Sequence, residues 1–190
     1  MLKDSKIEKL TESLVTKIDS FGELIKEWNK FSLVANSTLT DLWGWHFNEA
    51  FSIIPLLKEI FLDNNSKIYD FGAGGGVIGY PLFLYGFNDV YLIERSSNKL
   101  FFFRNVLKYI NTLDHVNDYE NSIVIVRGVT KILHLLKQLK NAKYLILFKS
   151  LSVREEIKEA LNFWSFEFDL FDRVGNAKGY IVLIYNIKKA

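Results

Sequence analysis

The 190 residues make a chain the size of one domain, and 49% hydrophobic with 15% aromatic residues are enough to build a full core, which excludes a disordered chain. The formal charge of +2, from 24 basic and 22 acidic side chains, is too balanced to indicate a nucleic-acid-binding protein by charge alone. The absence of cysteine excludes a disulfide framework and cysteine zinc sites. His46, His115 and His134 lack ligand spacing, so no metal site is expected.

The first stretch of the chain, MLKDSKIEKLTESLVTKIDSF, has charges spread throughout and no continuous apolar core, which is not typical of a signal peptide. No apolar run in the sequence reaches the roughly 18 residues that a membrane span requires. We therefore expect a cytoplasmic protein that does not associate with membranes.

Before residue 66, apolar residues recur at helical spacing. One series is Ile7, Leu10, Leu14, Ile18 and Phe21, and a second series, after a break at Gly22, is Leu24, Ile25, Trp28 and Phe31. The segments STLTDLWGWHFNEAF and SIIPLLKEIF predict further helices. Residues 1–65 are therefore predicted to form a helical N-terminal extension.

From residue 66 onwards, short apolar runs alternate with helical segments. The predicted strands are 67–71, 89–93, 122–126 and 144–148, and the predicted helices start near 77 and cover 97–110, 130–139 and 153–162. This alternation is typical of a mostly parallel sheet with helices on both faces. Two final β-rich runs around RVGNAKG predict a closing antiparallel hairpin. Residues 66–190 are thus predicted to be a Rossmann-like α/β core, which together with the extension makes one domain.

A glycine-rich loop, in YDFGAGGGVIG, follows the first predicted strand, where α/β folds bind nucleotides. Gly72, Gly74 and Gly76 allow a sharp turn and a close approach of the backbone to a ligand. The loop fits two fingerprints. From Gly74 it reads G-x-G-x-x-G, as in dinucleotide-binding proteins, and from Asp70 it reads D-x-G-x-G-x-G, which resembles motif I of S-adenosyl-L-methionine-dependent methyltransferases.

Glu94 ends the second predicted strand, about 20 residues past the glycines, where a carboxylate can accept hydrogen bonds from both ribose hydroxyls. This acid serves NAD and S-adenosyl-L-methionine alike. A nicotinamide enzyme would usually need a second nucleotide-binding half and a substrate domain, for which too few residues follow the loop. One compact sheet is enough for a methyltransferase, which the sequence therefore favours.

The order of motifs EWNKFSLV, LWGWHFNEAFSIIPLL, YDFGAGGGVIGYP and LIERSSNKLFFFRNVL resembles the bacterial small-subunit ribosomal RNA guanine-N7 methyltransferases, the RsmG/GidB family or glucose-inhibited division protein B. The resemblance covers nearly the whole chain. It implies a class I methyltransferase fold, S-adenosyl-L-methionine as the cofactor, and 16S ribosomal RNA or the small ribosomal subunit as the partner of a monomeric enzyme.

The resemblance also implies site residues. Trp28 and Asn29 match the W-N pair of the family, and His46 matches the histidine of its R-H-x-x-D-S motif. The positions that match its cofactor-binding residues are Asp70, Gly72, Ala73, Gly74, Gly76, Val77 and Glu94. The segment NDYEN resembles a divergent form of the family's adenine-contacting segment, with Tyr119 and Glu120 in the matching positions. Lys99 matches a basic residue after the ribose acid. His46 and Arg127 are the implied catalytic residues, and Arg127 is also an implied cofactor contact.

The chain departs from the family pattern in the histidine motif, which reads WHFNEA, so that Trp45, Glu49 and Ala50 replace its Arg, Asp and Ser. A second register is also open, in which Lys149 replaces the family arginine instead of Arg127 matching it. The departures leave a non-catalytic relative that binds RNA or cofactor as one alternative. An NAD(P)-dependent reductase is another, because of the dinucleotide fingerprint and Glu94.

Guanine N7 has an in-plane lone pair and no proton, so methyl transfer to it needs no general base, and orientation can supply most of the acceleration. The candidate cations for contacts with RNA phosphates are Lys3, Lys6, Lys9, Lys17, Lys26, Lys30, Lys99, Arg104 and Lys108. For most of them, a scattered solvated face is the favoured interpretation.

Overall fold

The structure is a computed structural model that describes residues 10–60 and 66–190. The helices are α1 (Glu12–Trp28), a π-helical turn (Trp43–Phe47), α2 (Asn48–Ser52), α3 (Ile54–Ile60), α4 (Gly79–Tyr85), α5 (Ser97–Asn105), α6 (Ile132–Leu139) and α7 (Val153–Leu161). The strands are β1 (Ile68–Phe71), β2 (Val90–Ile93), β3 (Asn111–Leu113), β4 (Ile123–Arg127), β5 (Tyr144–Lys149), β6 (Trp164–Asp172) and β7 (Tyr180–Lys189). Three of the candidate cations for RNA phosphate contacts, Lys3, Lys6 and Lys9, lie outside the described residues.

The strands form one sheet in the order β3-β2-β1-β4-β5-β7-β6. The first five strands in this order are parallel to one another, and β7 is antiparallel to both β5 and β6. The predicted Rossmann-like α/β fold with a closing hairpin is therefore confirmed. Because parallel strands share one carboxyl edge, the residues after β1, β2, β4 and β5 meet there. No helix among residues 10–60 and 66–190 is long and apolar enough to cross a membrane.

The helices of the extension pack on the sheet. Ile18, Phe21 and Phe47 share one buried cluster with Ile68 and Leu92 from the strands, on the face that α4 and α5 also cover. A second buried cluster on the opposite face joins α6 and α7 to the strands. The described part of the extension is thus one wall of the main hydrophobic core, and its burial fixes where the helices stand relative to the carboxyl edge.

Helix α1 corrects one prediction, because it runs without a break through Gly22. A single glycine costs a helix only about 1 kcal/mol. The buried stripe of Ile18, Phe21 and Ile25 stabilises both halves, and the Thr11 hydroxyl caps the start by accepting a hydrogen bond from the Leu14 N–H at 3.3 Å.

The region after α5 corrects a second prediction. The predicted helix 97–110 ends at Asn105, and the chain reverses before β3, a strand that the sequence did not predict. Tyr109 has φ 72°, which a helix cannot accommodate. β3 has three residues, too few to show an alternating pattern, and it pairs in parallel with β2.

The loop between β6 and β7 lies at the carboxyl edge, since Tyr180 pairs with both Lys149 and Asp172. It contacts the extension there. The Asn176 side chain donates to Asp41 Oδ2 at 2.8 Å, and its backbone N–H donates to the Gly44 carbonyl at 2.8 Å. Extension and hairpin are therefore joined directly above the ends of β4 and β5.

Candidate active site

The glycine loop turns the chain sharply after β1. Gly72, Gly74 and Gly76 have φ angles of 73°, 61° and 74°, in the left-handed region that side chains disfavour. A side chain at Gly72 would also collide with Val129, whose Cγ2 atom would be 2.9 Å from the added Cβ. Ala73 and Val77 are buried beside these turns. The glycines are therefore required by the backbone path itself.

Asp70 lies beneath this loop and is almost fully buried. Its Oδ2 atom accepts a hydrogen bond from the Gly79 N–H at 2.8 Å, which ties the end of β1 to the start of α4. Burial raises the pKa of Asp70 to about 7, against the opposing effects of the Gly79 hydrogen bond and the Arg127 charge. Asp70 thus orders the loop from below.

Glu94 is held by backbone amides at the end of β2. Its Oε1 atom accepts from the N–H groups of Arg95 at 2.8 Å and Ser96 at 3.0 Å, and its Oε2 atom accepts from the Gly74 N–H at 3.1 Å. The Lys99 ammonium lies 3.9 Å from the same Oε2 atom. The carboxylate is therefore fixed against the glycine loop, so that the two parts of the sequence fingerprint lie in direct contact.

A cavity of about 410 Å³ opens beside the loop, and we call it the first cavity. Its lining residues are Phe71, Gly72, Ile93, Glu94, Arg95, Val129, Thr130, His134 and Gln138. The volume lies in the range of about 300–1,000 Å³ that is usual for small-molecule sites. A carboxylate and a glycine that allows close approach, Gly72, in one apolar-walled cavity fit a nucleoside-containing cofactor.

Tyr119 and Glu120 do not line the first cavity. Tyr119 is buried, with its ring centroid 5.4 Å from that of Tyr69 and 6.1 Å from that of Phe71, which does line the cavity. Glu120 is exposed and forms an isolated bridge with Ala142. Their predicted contact with the adenine stays a prediction.

Arg127, at the end of β4, contacts the extension. Its Nε atom is 2.7 Å from Glu49 Oε2, an ion pair without the alignment of a hydrogen bond, and its Nη2 atom donates to the Trp45 carbonyl at 2.8 Å. Burial lowers the pKa of Arg127 from its usual value, and the Glu49 charge opposes the change. The WHFNEA helix is therefore anchored on the predicted catalytic arginine.

A residue that the sequence analysis missed joins this pair. The guanidinium of Arg173, just after β6, donates from Nε to Glu49 Oε1 at 2.6 Å and also forms an ion pair through Nη2. Arg173 and Glu49 are 124 positions apart, so no local pattern connects them. The sequence offered one signal, Glu49 itself, which is the only charged carboxylate in a largely apolar helical segment, residues 42–57.

His46 lies one helical turn before Glu49 and is 4% exposed. Its Nε2 atom is 2.9 Å from Thr38 Oγ1, and its Nδ1 atom has no hydrogen-bonding partner within the described chain. Burial, and secondly the Arg127 charge, lower the pKa of His46 to about 3. The imidazole is therefore neutral at physiological pH. It does not line the first cavity, nor does it line the second cavity described below.

A second cavity of about 440 Å³ adjoins the first, because Val129 and Thr130 line both. Its other lining residues are Val126, Arg127, Gly128, Phe148, Lys149, Ser150, Glu156 and Arg173. The Lys149 ammonium is 2.8 Å from Glu156 Oε2, which also accepts from the Ile132 N–H at 3.0 Å. Arg127 and Lys149, the residues of the two open registers, thus lie in one cavity.

Residues 14–171 match the family model GidB, described as rRNA small subunit methyltransferase G. The chain belongs to this family. Two similar proteins, both called ribosomal RNA small subunit methyltransferase G, come from Rickettsia prowazekii, 28% identical over 95% of this chain and 98% of the relative, and from Rickettsia felis, 26% identical over 93% and 95%. The resemblance inferred from the motifs is therefore confirmed, for a divergent member of the rRNA small subunit methyltransferase G family.

Solved structures support the same fold. A TehB-like SAM-dependent methyltransferase from Corynebacterium glutamicum superposes with a TM-score of 0.54 at 13% identity, covering 88% of this chain and 98% of that one. A SAM-dependent methyltransferase from Aquifex aeolicus gives 0.53 at 17% identity, covering 83% and 97%. This member of the methyltransferase G family thus has the class I methyltransferase fold. Its cofactor is S-adenosyl-L-methionine, and the first cavity has a size and lining that fit this molecule.

Proposed function

We propose that this protein methylates N7 of a guanine in small-subunit (16S) ribosomal RNA, with S-adenosyl-L-methionine as the methyl donor. The observation that carries the proposal is the first cavity, whose lining includes Glu94 and Gly72, the first of the left-handed glycine turns. The membership of the family adds the RNA substrate. We further propose that the protein acts as a monomer in the cytoplasm.

The cofactor would be held by groups that the structure brings together. The Glu94 carboxylate, which lines the first cavity, would accept hydrogen bonds from ribose hydroxyls, and the turns at Gly72 and Gly74 would let the backbone approach the amino-acid part of the cofactor closely. Asp70, below the loop, holds these turns in place through Gly79. S-adenosyl-L-methionine supplies an electrophilic methyl group when it is bound.

The rest of the chain must place the guanine and exclude water. Because N7 has a lone pair and no proton, the reaction requires no general base, and a neutral, buried His46 is compatible with it. We infer that His46 supports the helix that carries Trp45 and Glu49, both of which contact Arg127. Arg127, which lines the second cavity, can donate a hydrogen bond to guanine O6, an acceptor beside N7. Orientation then supplies most of the acceleration.

The test has two parts. Isothermal titration with S-adenosylhomocysteine, NADH and NADPH is expected to show binding of the first ligand alone. Binding of a nicotinamide cofactor instead would favour a reductase and contradict the proposal.

The second part measures methyl transfer to small ribosomal subunits from cells that lack the mark. The product is mapped by reduction and aniline cleavage, which is selective for N7-methylguanosine. We expect one modified guanine. Tight cofactor binding without transfer to subunits or to naked RNA would indicate a non-catalytic relative, in keeping with WHFNEA replacing R-H-x-x-D-S.

A further inference from the structure

Three charged side chains from distant parts of the chain meet at the second cavity. Glu49 is fully buried, whereas the side chains of Arg127 and Arg173 keep 23% and 11% of their surface exposed. Two guanidinium groups share one carboxylate, so this cluster has a formal charge of +1. The other ion pair of the cavity, Lys149 with Glu156, is neutral. The excess charge therefore belongs to the two arginines.

Both arginines retain the ability to bind an anion. A guanidinium has five N–H donors in a planar fork. Arg173 directs Nε and Nη2 at Glu49, whereas Arg127 donates Nη2 to the Trp45 carbonyl and its Nε atom forms only an unaligned ion pair with Glu49. Each guanidinium keeps N–H donors that these contacts do not occupy, and both residues line the second cavity.

A purely structural pair would not need this composition. A buried carboxylate paired with one arginine is already neutral, and buried ion pairs are weak contributors to stability compared with apolar packing. A second arginine adds an uncompensated charge beside a cavity. The guanidinium of Arg173 also lies 5.8 Å from the Phe148 ring centroid, within the range of a cation–π contact.

We propose that Arg173 contacts the RNA, binding a backbone phosphate next to the target guanine, and that Glu49 is the positioning residue that holds Arg127 and Arg173 side by side. This inference rests on the proposed function, because it needs RNA in the second cavity. One phosphate matches the +1 charge, and a guanidinium fork binds phosphate oxygens in a bidentate manner. Phosphate contacts fix the register of a nucleotide whose base is being modified.

The first experiment replaces Arg173 with Gln and, as a matched control, Lys188 with Gln. Lys188 is an exposed cation that pairs with Ser165 near the end of β7, at the opposite edge of the sheet. Small-subunit binding and steady-state kinetics are measured for each variant, with S-adenosylhomocysteine titration as the check on the first cavity.

For Arg173→Gln we expect RNA affinity to fall roughly tenfold or more, mainly as a higher KM, with kcat and S-adenosylhomocysteine affinity within about twofold of wild type. The slope of log affinity against log salt should decrease by about 0.7, as for one lost phosphate contact on single-stranded RNA. Arg173→Lys should restore part of the affinity, and Lys188→Gln should behave as wild type. Unchanged RNA affinity in Arg173→Gln, or an equal loss in Lys188→Gln, overturns the inference.

Glu49→Gln separates positioning from charge. This variant raises the charge of the cluster to +2, so an effect of charge alone would tighten RNA binding. We expect weaker binding, because glutamine keeps only one acceptor oxygen and turns an NH2 donor towards the guanidinium groups, which lose part of the contact that orients them. Tighter binding would overturn the role of Glu49.

The double variant Glu49→Gln/Arg173→Gln keeps a charge of +1 and guards against misfolding of the single variant. Its RNA affinity should stay roughly tenfold below wild type. A return to wild-type affinity would show that net charge is sufficient and that Arg173 makes no specific contact.

The result can be distinguished from failure of the proposed function. If wild-type protein binds S-adenosylhomocysteine and small subunits but transfers no methyl group, the enzymatic proposal fails, while the effect of Arg173→Gln on RNA binding still decides the inference. If wild-type protein does not bind small subunits or their RNA, both fail.

Discussion

Asp70 makes the stability of the protein depend on pH in an unusual direction. Because burial raises its pKa from 3.8 to about 7, the folded protein keeps this proton at pH values where the unfolded chain has lost it. The contribution of Asp70 to stability is therefore greatest below pH 3.8 and is lost as the pH rises towards 7. The ionised form opposes folding by about 4 kcal/mol, since each pKa unit corresponds to about 1.4 kcal/mol.

Asp70→Asn tests this reasoning. An amide oxygen can still accept the Gly79 hydrogen bond, but the side chain no longer titrates. Between pH 5 and pH 8, linkage predicts that wild type loses about 2.5 kcal/mol of stability through this group, and the variant loses none of it. Any pH-independent cost of burying the amide cancels when only the slopes are compared.

The assay is urea denaturation followed by tryptophan fluorescence at pH 5, 6, 7 and 8, with linear extrapolation. Asp89→Asn, an exposed carboxyl before β2, is the matched control and should keep the wild-type slope. Parallel pH profiles for wild type and Asp70→Asn would refute the argument, because they would mean that Asp70 titrates alike in the folded and unfolded chains.

Three further predictions concern the site. Gly74→Val should reduce S-adenosylhomocysteine affinity at least about tenfold in titration, since φ 61° is strained for valine, whereas Gly86→Val, also at positive φ but after α4, should leave it unchanged. Arg127→Ala should lower kcat/KM for small subunits about tenfold to a hundredfold while circular dichroism stays unchanged, and wild-type rates would contradict its role. His46→Gln should leave the shape of the rate profile between pH 5 and pH 9 unaltered, because the pKa of His46 is about 3; loss of a titration near pH 6.5 would show that His46 acts as a base.

The first cavity was accessible to sequence analysis because its determinants are local. Asp70, the glycines and Glu94 follow two consecutive strands, and parallel pairing of β1 with β2 brings them together automatically. The helical extension and the terminal hairpin were also predictable from periodicity. Strand β3 was not, because three residues cannot show a period, and the same region hid the end of α5 at Asn105.

The second cavity depends on packing that no spacing in the sequence describes. The contact between Glu49 and Arg173 exists only because the hairpin and the extension meet above the ends of β4 and β5. His46 was a candidate because of the family motif alone, and its lack of contact with either cavity follows from its burial in the extension. Long-range ion pairs of this kind require the folded structure.

The position of β7 between β5 and β6 has a consequence for folding kinetics. Docking of the hairpin against the extension joins segments that are far apart in the sequence, and such non-local contacts are expected late, after the parallel strands have formed. The bond from Arg173 to Glu49 spans 124 positions, so it can form only when the hairpin has docked. A partly folded chain would therefore have the cofactor loop before it has the paired arginines. Substitutions at Arg173 should accordingly accelerate unfolding and leave the refolding rate almost unchanged.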